Sequence, residues 1–271
     1  MTKREHLLEL MTEYTRQDIA VAFSGGVDSS LILKIACDAA AKWGTTVYAV
    51  TIHTRLHPVG DIEIAQKVAQ EMGAVHMVLH VDELNEADIM DNPVDRCYRC
   101  KKTLFTKALS KAAELGVKIV VEGTNEDDLH VYRPGIKALS ELGVKSPLAL
   151  CHMTKQEIRE LAAEYGISVA NRPANPCLAT RFPYQTRLSY EVMEQVDEAE
   201  TMIRKLGFYN VRIRVHEQIA RIEIDQKDFQ EFLKKSQSIV TILKEKGFLY
   251  VTLDLEGFRS GSMDIPILTE R

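Results

Sequence analysis

The stretch Asp18-Ile-Ala-Val-Ala-Phe-Ser-Gly-Gly-Val-Asp-Ser-Ser30 decides the fold. It begins as a short apolar run of strand length and continues into a small-residue turn with two adjacent glycines. From Val27 to about Lys42 the apolar residues recur with helical spacing. Glycines let the backbone approach an anion closely, and the first N–H groups of a helix point at it. The stretch therefore predicts a phosphate-binding loop.

The side chains of this loop indicate the kind of phosphate compound that it binds. Hydroxyl and glycine residues that we assign to the nucleotide site are Ser24, Gly25, Gly26, Ser29 and Ser30. Asp28 is a poor neighbour for a bare phosphate, and its carboxylate makes sense mainly as a ligand of Mg²⁺ bridging the phosphates. A serine–glycine turn with a helix cap is the simpler alternative. The strand before the loop and the helix after it favour the nucleotide site.

Two common nucleotide motifs do not fit the loop. A Walker A loop needs a lysine after its second glycine, and a dinucleotide fingerprint needs G-x-G-x-x-G. Residues 24–30 have neither feature and resemble the PP-loop instead. That resemblance implies cleavage of ATP between its α and β phosphates. It also implies the doubly wound sheet of the PP-loop ATP pyrophosphatases, a HUP-like fold.

Strands alternate with helices outside the loop. Apolar runs predict strands at 46–52, 75–81 and 117–121, and helical spacing predicts helices at 61–72, 101–115 and 155–165. Thr154 and Glu157 form a capping box for the last of these helices. The alternation indicates right-handed βαβ units. We therefore predict an α/β fold with a mostly parallel sheet.

The C-terminal third has a different pattern. Residues 168–186 contain Pro173, Pro176 and Pro183, which argue for a loop or linker. Predicted elements then follow as helix 190–206, strands 211–215 and 221–224, helix 227–246 and strand 250–253. We expect a PP-loop ATP-binding domain over 1–185, and a smaller α+β domain over 186–271 for substrate binding and homo-oligomer contacts.

Composition and charge narrow the choice of partner. The 271 residues are 45% hydrophobic and carry a net charge of −5, and no run of about 18 apolar residues predicts a membrane span. The N-terminus has the pattern of an amphipathic helix with acidic residues, not of a signal peptide, so we expect a cytoplasmic protein. Residues 186–271 hold 13 Lys and Arg against 15 Asp and Glu. Because nucleic acids are bound mainly through surplus basic residues, a small-molecule partner is expected, with no nucleic acid and no membrane.

A second polar cluster follows the predicted strand 117–121. Its sequence is Glu122-Gly-Thr-Asn-Glu-Asp-Asp128. It falls at the carboxyl edge of the sheet, where open α/β sheets bind ligands, and we assign Thr124 to the ATP site. Asp127 and Asp128 are either a solvated acidic turn or partners of Asp28 in a magnesium site.

Three of the five cysteines form a candidate cluster site. Cys97 and Cys100 form a C-x-x-C, and Cys177 lies in the proline-rich loop. A C-x-x-C serves as a zinc half-site, a redox pair or an iron–sulfur half-site. The obvious fourth zinc ligand is missing, since His130 and His152 read as isolated surface residues. A [4Fe–4S] cluster uses the three cysteines and leaves one iron open. Structural disulfides are not expected in a reducing compartment, and Cys37 and Cys151 read as small buried residues.

Two arginines indicate an anion site in the second domain. Arg212 and Arg214 alternate on a predicted strand and so share one face. Their guanidinium groups suit a phosphate or a carboxylate. A solvated strand face is the alternative.

Further motifs resemble one family across nearly the whole chain. Beside the PP-loop they are Tyr132-Arg-Pro-Gly-Ile-Lys-Ala138, Arg181-Phe-Pro-Tyr184, Val211-Arg-Ile-Arg-Val-His216, Ile219-Ala-Arg-Ile-Glu223 and Val251-Thr-Leu-Asp-Leu-Glu-Gly-Phe-Arg-Ser-Gly261. Together they are similar to LarE, the ATP-dependent sulfur transferases that make the nickel-pincer nucleotide cofactor. The resemblance implies that ATP and Mg²⁺ adenylate a carboxylate of pyridinium-3,5-biscarboxylic acid mononucleotide. Sulfur then replaces AMP to give a thiocarboxylate. Other proteins of the cofactor pathway are possible partners.

The family resemblance also implies site residues and a source of sulfur. Arg181 becomes a candidate for the ATP site, and Glu200 and Arg259 join the two strand arginines as candidates for the substrate site. One kind of LarE has a lone cysteine, at the position of Cys177, that gives up its own sulfur and becomes dehydroalanine. The other kind adds a C-x-x-C and holds an iron–sulfur cluster. Because Cys97 and Cys100 are present, the resemblance favours delivery from a [4Fe–4S] cluster held by the three cysteines.

Three other functions are compatible with parts of the sequence. A tRNA thiolase also joins a PP-loop to three cysteines, but it needs a basic RNA-binding surface, which the charge balance disfavours. A non-catalytic nucleotide-binding module is a second alternative, but it gives Asp28 and the cysteines no function. A ligase that uses ammonia is a third possibility, although nothing in the chain resembles a glutaminase.

Overall fold

Four parallel strands form the sheet that ends at the phosphate loop. They are Ile19–Ala22 (β1), Val47–His53 (β2), Val75–His80 (β3) and Ile119–Val121 (β4). Their order is β3-β2-β1-β4, so the chain builds outward from β1 to β3 and then crosses back to the other side of β1. This reversal is the topological switch point of a doubly wound sheet, at which such folds bind ligands. The predicted fold class is confirmed.

The computed structural model describes residues 1–57, 60–171, 176–259, 261–265 and 267, with the backbone alone for Asp61. It divides into two units. The first unit consists of Met1–Thr54, Val59–Asp88 and Asp95–Asn175, and the second of Arg55–Pro58, Ile89–Val94 and Pro176–Arg271. Pro173, which we predicted to lie in a loop, is outside the described residues.

Helices cover both faces of the sheet in the first unit. Their bounds are Lys3–Tyr14 (α1), Val27–Ala40 (α2), Asp61–Glu71 (α3), Glu83–Glu86 (α4), Arg96–Glu114 (α5), Glu126–Leu129 (α6), Gly135–Glu141 (α7), Pro147–Leu150 (α8) and Lys155–Glu164 (α9). Apolar residues of α1, α2 and α9 pack on one face of the sheet, and those of α5 pack on the other. No helix in the described part of the chain is both long and apolar enough to span a bilayer.

The helix boundaries differ from the prediction at one functionally relevant place. We predicted a helix from residue 101, whereas α5 begins at Arg96 and so includes Cys97 and Cys100. Polar residues dominate its first turn, which hides the helical periodicity in the sequence. The predicted start of α9 is confirmed, because Thr154 and Glu157 form the expected capping box.

The second unit contains a three-stranded sheet. Its strands are Val211–His216 (β5), Ile219–Ile224 (β6) and Tyr250–Leu253 (β7), in the order β5-β6-β7. β5 and β6 form an antiparallel hairpin, and β7 runs parallel to β6. The helices are Tyr190–Lys205 (α10), Phe229–Lys234 (α11) and Ser236–Glu245 (α12). The single helix that we predicted over 227–246 was therefore wrong, because the chain interrupts it at Lys235.

Candidate active site

The phosphate loop links β1 to α2 and lies beside the switch point. Gly25 has φ +70°, a left-handed conformation that favours glycine. A Cβ atom at this position would lie 3.1 Å from the Cα atom of Ala65 in α3. Gly26 precedes α2, and no side chain caps the helix at this position. The first N–H groups of α2 therefore remain as donors for an anion.

Serine hydroxyls stabilise the shape of the loop. The Gly26 N–H donates to Ser24 Oγ at 3.3 Å, and the Ser24 N–H donates to Ser29 Oγ at 3.3 Å. Ser29 Oγ in turn donates to the carbonyl oxygen of Gly26 at 3.2 Å. Ser30 Oγ is buried and has no hydrogen-bond partner among the described residues. Ser24 and Ser29 thus hold the loop, whereas the Ser30 hydroxyl takes no part in this network.

The turn after β4 packs directly on the phosphate loop. A Cβ atom on Gly123 would lie 3.0 Å from the backbone nitrogen of Ser29, so glycine is needed for this close approach. The neighbouring Glu122 is 5% exposed and accepts hydrogen bonds from the backbone and hydroxyl of Thr124, at 3.0 and 2.8 Å, and from Ser146 Oγ at 2.5 Å. The predicted ATP residue Thr124 is therefore oriented by a buried carboxylate.

Asp28 forms an ion pair with Lys155, which was not among the predicted site residues. Its Oδ1 atom accepts a hydrogen bond of 3.2 Å from Asn125 Nδ2, and its Oδ2 atom forms an ion pair with Lys155 Nζ. The backbone N–H of Lys155 donates to Asp127 Oδ2 at 2.8 Å. The structure thus brings Asp28 and Asp127 together through one residue at the start of α9. Both oxygens of Asp28 are engaged, and each keeps a further lone pair with which a magnesium ion can be bound.

Two histidines beside this cluster are not isolated. His130 Nε2 lies 2.9 Å from Glu126 Oε1, and His152 Nδ1 lies 3.0 Å from Glu126 Oε2. Hydrogen bonds from His130 and His152 lower the pKa of Glu126. The two histidines lie at the surface, as expected, with side chains 70% and 73% exposed, but the expectation that they are isolated was wrong. Their partner lies next to Asn125, which contacts Asp28.

The C-x-x-C motif lies at the start of α5. Cys97 and Cys100 are three residues apart on the helix and so share a face, and both are partly exposed. The hydroxyl of Tyr98 donates to Glu141 in α7 at 2.6 Å. A Cβ atom on Gly135 would lie 3.2 Å from the carbonyl oxygen of Cys97, which shows how closely α7 approaches the motif.

Thiolates are the usual ligands of iron–sulfur clusters, so the two thiols at the start of α5 suit two of the ligand positions of such a cluster. Cys37 is only partly buried, which differs from the prediction of a buried residue, and burial still raises the pKa of its thiol to about 11. Cys151 is 1% exposed, and burial raises the pKa of its thiol as well. Within the described residues, no three His, Cys, Asp or Glu side chains are grouped as ligands of a metal ion.

Cys177 lies in the second unit, immediately before a 3₁₀ turn over Leu178–Arg181. Its carbonyl oxygen accepts hydrogen bonds from the Thr180 hydroxyl at 2.8 Å and from Arg181 Nη1 at 3.4 Å. Cys177 as a residue is partly exposed. The turn thus connects the third candidate cysteine to a fully buried arginine.

Buried ion pairs surround this turn. Arg181 forms two hydrogen bonds with Glu200 of α10. Arg214 of β5 donates to Glu223 of β6 at 3.0 and 2.7 Å and to the carbonyl oxygen of Thr180 at 2.9 Å. The structure therefore brings three of the predicted residues, Arg181, Glu200 and Arg214, to one place in the second unit.

Arg212 adds a third buried guanidinium to this group. It is 9% exposed and lies over the ring of Phe258 at 5.4 Å. Burial lowers the pKa of Arg212 to about 10, although the charge of Glu200 opposes this shift. Burial also disfavours the charged form of Glu200, but Arg181, Arg212 and the Ile213 N–H outweigh it, and the pKa of Glu200 is lowered.

A further layer of charged residues includes Arg259. Asp254 pairs with Arg221 at 2.7 Å and with Arg259 at 3.2 Å. Ser262 Oγ donates to Glu223 at 2.7 Å. The Nε atoms of Arg221 and Arg259 are buried without a hydrogen-bond partner in the described part of the chain. This layer was missed apart from Arg259, because its members are far apart in sequence.

The fold and the loop define the class of protein. A parallel sheet with an S-G-G-V-D-S loop at its switch point is the site of a PP-loop ATP-using enzyme. The family model described as a PP-loop domain matches residues 1–130.

Similar proteins identify the family within this class. A pyridinium-3,5-bisthiocarboxylic acid mononucleotide synthase of Lactiplantibacillus plantarum is 38% identical over 263 residues, which cover 97% of this chain and 94% of that protein. An uncharacterised protein of Synechocystis sp. is 38% identical over 265 residues, or 97% of each chain. A tRNA-specific 2-thiouridylase of Rickettsia bellii is 30% identical over 192 residues, which cover 57% of this chain and 51% of that protein. The chain belongs to the LarE family, and it is an ATP-dependent sulfur transferase.

Proposed function

We propose that the chain adenylates a carboxylate of pyridinium-3,5-biscarboxylic acid mononucleotide and then replaces AMP with sulfur. The product named for the relative from L. plantarum is the corresponding bisthiocarboxylic acid mononucleotide. The observation that carries the proposal is the group of three buried guanidiniums, Arg181, Arg212 and Arg214, which faces two buried carboxylates, Glu200 and Glu223. This excess of positive charge suits an anionic ligand, and a mononucleotide supplies a phosphate.

The first half of the reaction uses the phosphate loop. A carboxylate oxygen of the substrate attacks the α phosphorus of ATP, and the bond to the bridging oxygen of pyrophosphate breaks. Loop amides and the Ser30 hydroxyl bind phosphate oxygens, while Asp28 holds the magnesium ion that accompanies ATP. Lys155 then turns from Asp28 to the phosphates, where its charge stabilises the negative charge that develops. Asp127 keeps the backbone of Lys155 in place.

In the second half, sulfur attacks the carbonyl carbon of the acyl adenylate and AMP leaves. We infer that Cys97, Cys100 and Cys177 supply the thiolates that hold a [4Fe–4S] cluster. Held by three cysteines, such a cluster would keep one iron without a protein ligand and would supply the sulfur for the transfer. The alternative is a sacrificial reaction in which Cys177 donates its own sulfur. We further propose that the second unit binds the mononucleotide and contributes to homo-oligomer contacts.

A tRNA thiolase is the second candidate function. It is favoured by the similarity to tRNA-specific 2-thiouridylases, but that similarity covers only 57% of this chain. The net charge of −5 also gives little attraction for RNA. The small-molecule substrate is therefore preferred.

The test measures the release of pyrophosphate and AMP from ATP with and without the mononucleotide. The affinity of each ligand is measured separately by calorimetry. Arg212→Ala and Arg214→Ala are expected to weaken mononucleotide binding by about 1.5–3 kcal/mol each, the worth of a charge-assisted hydrogen bond, with little effect on ATP. Arg187→Ala is the control, since this arginine of the second unit is 74% exposed. Equal weakening of both ligands, or pyrophosphate release that depends on tRNA, would contradict the proposal.

A further inference from the structure

Two histidines face each other at the ends of neighbouring strands in the first unit. His53 is the last residue of β2 and His80 is the last residue of β3, and they are direct partners in the parallel register. Their Nδ1 atoms lie 3.0 Å apart, and their rings are almost perpendicular, at 88°. Neither histidine takes part in the reaction proposed above.

The distance between the two nitrogens suits a shared metal ion. Imidazole nitrogens bind zinc at about 2.0–2.1 Å. Two nitrogens at that distance from one ion are about 2.9 Å apart at a right angle and about 3.4 Å apart at a tetrahedral angle. The observed separation lies within this range. A direct N–H···N hydrogen bond also has this length. In that case a proton, and not a metal ion, lies between the two rings.

The surroundings of His53 disfavour a protonated imidazole. Burial and the adjacent His80 lower the pKa of His53, while the charge of Glu63 opposes this shift. This shift favours the neutral form of His53, the form in which imidazole binds metals. His80 is exposed and His53 is partly exposed, so that an ion reaches both nitrogens from solvent.

We propose that His53 and His80 form a two-histidine chelate for a divalent late transition-metal ion. Imidazole ligands select Ni²⁺, Cu²⁺ or Zn²⁺ over Mg²⁺ and Ca²⁺. Water fills the other coordination positions. Because β3 is an edge strand, the bound ion ties it to β2 and stabilises the native state.

The test is calorimetric titration of the full chain with Ni²⁺, after the accessible thiols of all samples have been alkylated to remove competing ligands. The wild type is expected to bind one Ni²⁺ ion. In His53→Gln and His80→Gln this binding should be absent or at least about 10-fold weaker, since the loss of an outer-shell partner already lowers metal affinity by about 10-fold or more. The melting temperature of the wild type should rise with Ni²⁺, and this rise should disappear in both variants.

His6→Gln is the matched control, because this histidine of α1 lies outside the pair, and it should keep the wild-type isotherm. X-ray absorption of the Ni²⁺ form supplies an independent measurement and should show two imidazole ligands. Unchanged stoichiometry and affinity in both pair variants would overturn the proposal. The same holds if absorption shows a nickel ion without imidazole ligands.

Discussion

Arg181 donates two hydrogen bonds to Glu200, of 3.0 Å from Nε and 2.9 Å from Nη2, and neither side chain is exposed to solvent. The carboxylate also accepts a hydrogen bond of 2.9 Å from the backbone N–H of Ile213 in β5. The pair therefore joins the 3₁₀ turn, α10 and the sheet of the second unit. Removing one partner of a buried pair leaves an uncompensated charge, which costs more than the pair contributes.

Glu200→Gln is accordingly expected to lower the free energy of unfolding by ~3–5 kcal/mol, as measured by urea denaturation. The matched control is Glu194→Gln, whose partner Arg55 and own side chain are both about half exposed. Exposed ion pairs contribute ~0–1 kcal/mol, so the control should unfold almost like the wild type. A similar loss in the two variants would show that burial does not determine the strength of the Arg181–Glu200 pair.

The lowered pKa of Glu200 predicts how stability depends on pH. A carboxylate whose pKa is lower in the folded protein stabilises it fully above its unfolded-state pKa of about 4.5, and this contribution is lost as the pH falls toward the folded-state pKa. The difference in unfolding free energy between the wild type and Glu200→Gln should therefore be constant near neutral pH and shrink below about 4.5. A difference that grew on acidification would contradict the direction of the pKa shift.

Local sequence signals predicted the phosphate loop, because a strand, two glycines and a helix follow one another within 13 residues. They did not predict Lys155, which lies 127 residues after its partner Asp28 and meets it only through the fold. Sequence patterns also placed Arg212 and Arg214 on one strand, since alternation is a local property. They did not predict that Glu223 pairs with Arg214, because this depends on the β5–β6 register, which the turn and the packing determine.

Lys155→Met tests whether the lysine acts on ATP. If its ammonium group stabilises charge in the transition state, its loss should reduce pyrophosphate release on the order of 10²-fold or more while the fold is kept. Lys42→Met is the control, because this lysine of the same unit is exposed. The assay follows pyrophosphate at saturating ATP, with circular dichroism as the measure of folding. Wild-type turnover in Lys155→Met would restrict the lysine to a structural ion pair with Asp28.

The three cysteines give the last prediction, which separates cluster-mediated from sacrificial sulfur transfer. Cys97 and Cys100 share one face at the start of α5, and Cys177 precedes the turn that carries Arg181. If they hold one [4Fe–4S] cluster, anaerobic reconstitution should give roughly four irons per chain in the wild type and loss of the cluster in Cys97→Ala, Cys100→Ala and Cys177→Ala. Cys37→Ala should keep the full iron content, because the raised pKa of its thiol, about 11, disfavours the thiolate that iron binds. A wild type that binds no iron, together with mass-spectrometric conversion of Cys177 to dehydroalanine after one turnover, would establish the sacrificial route instead.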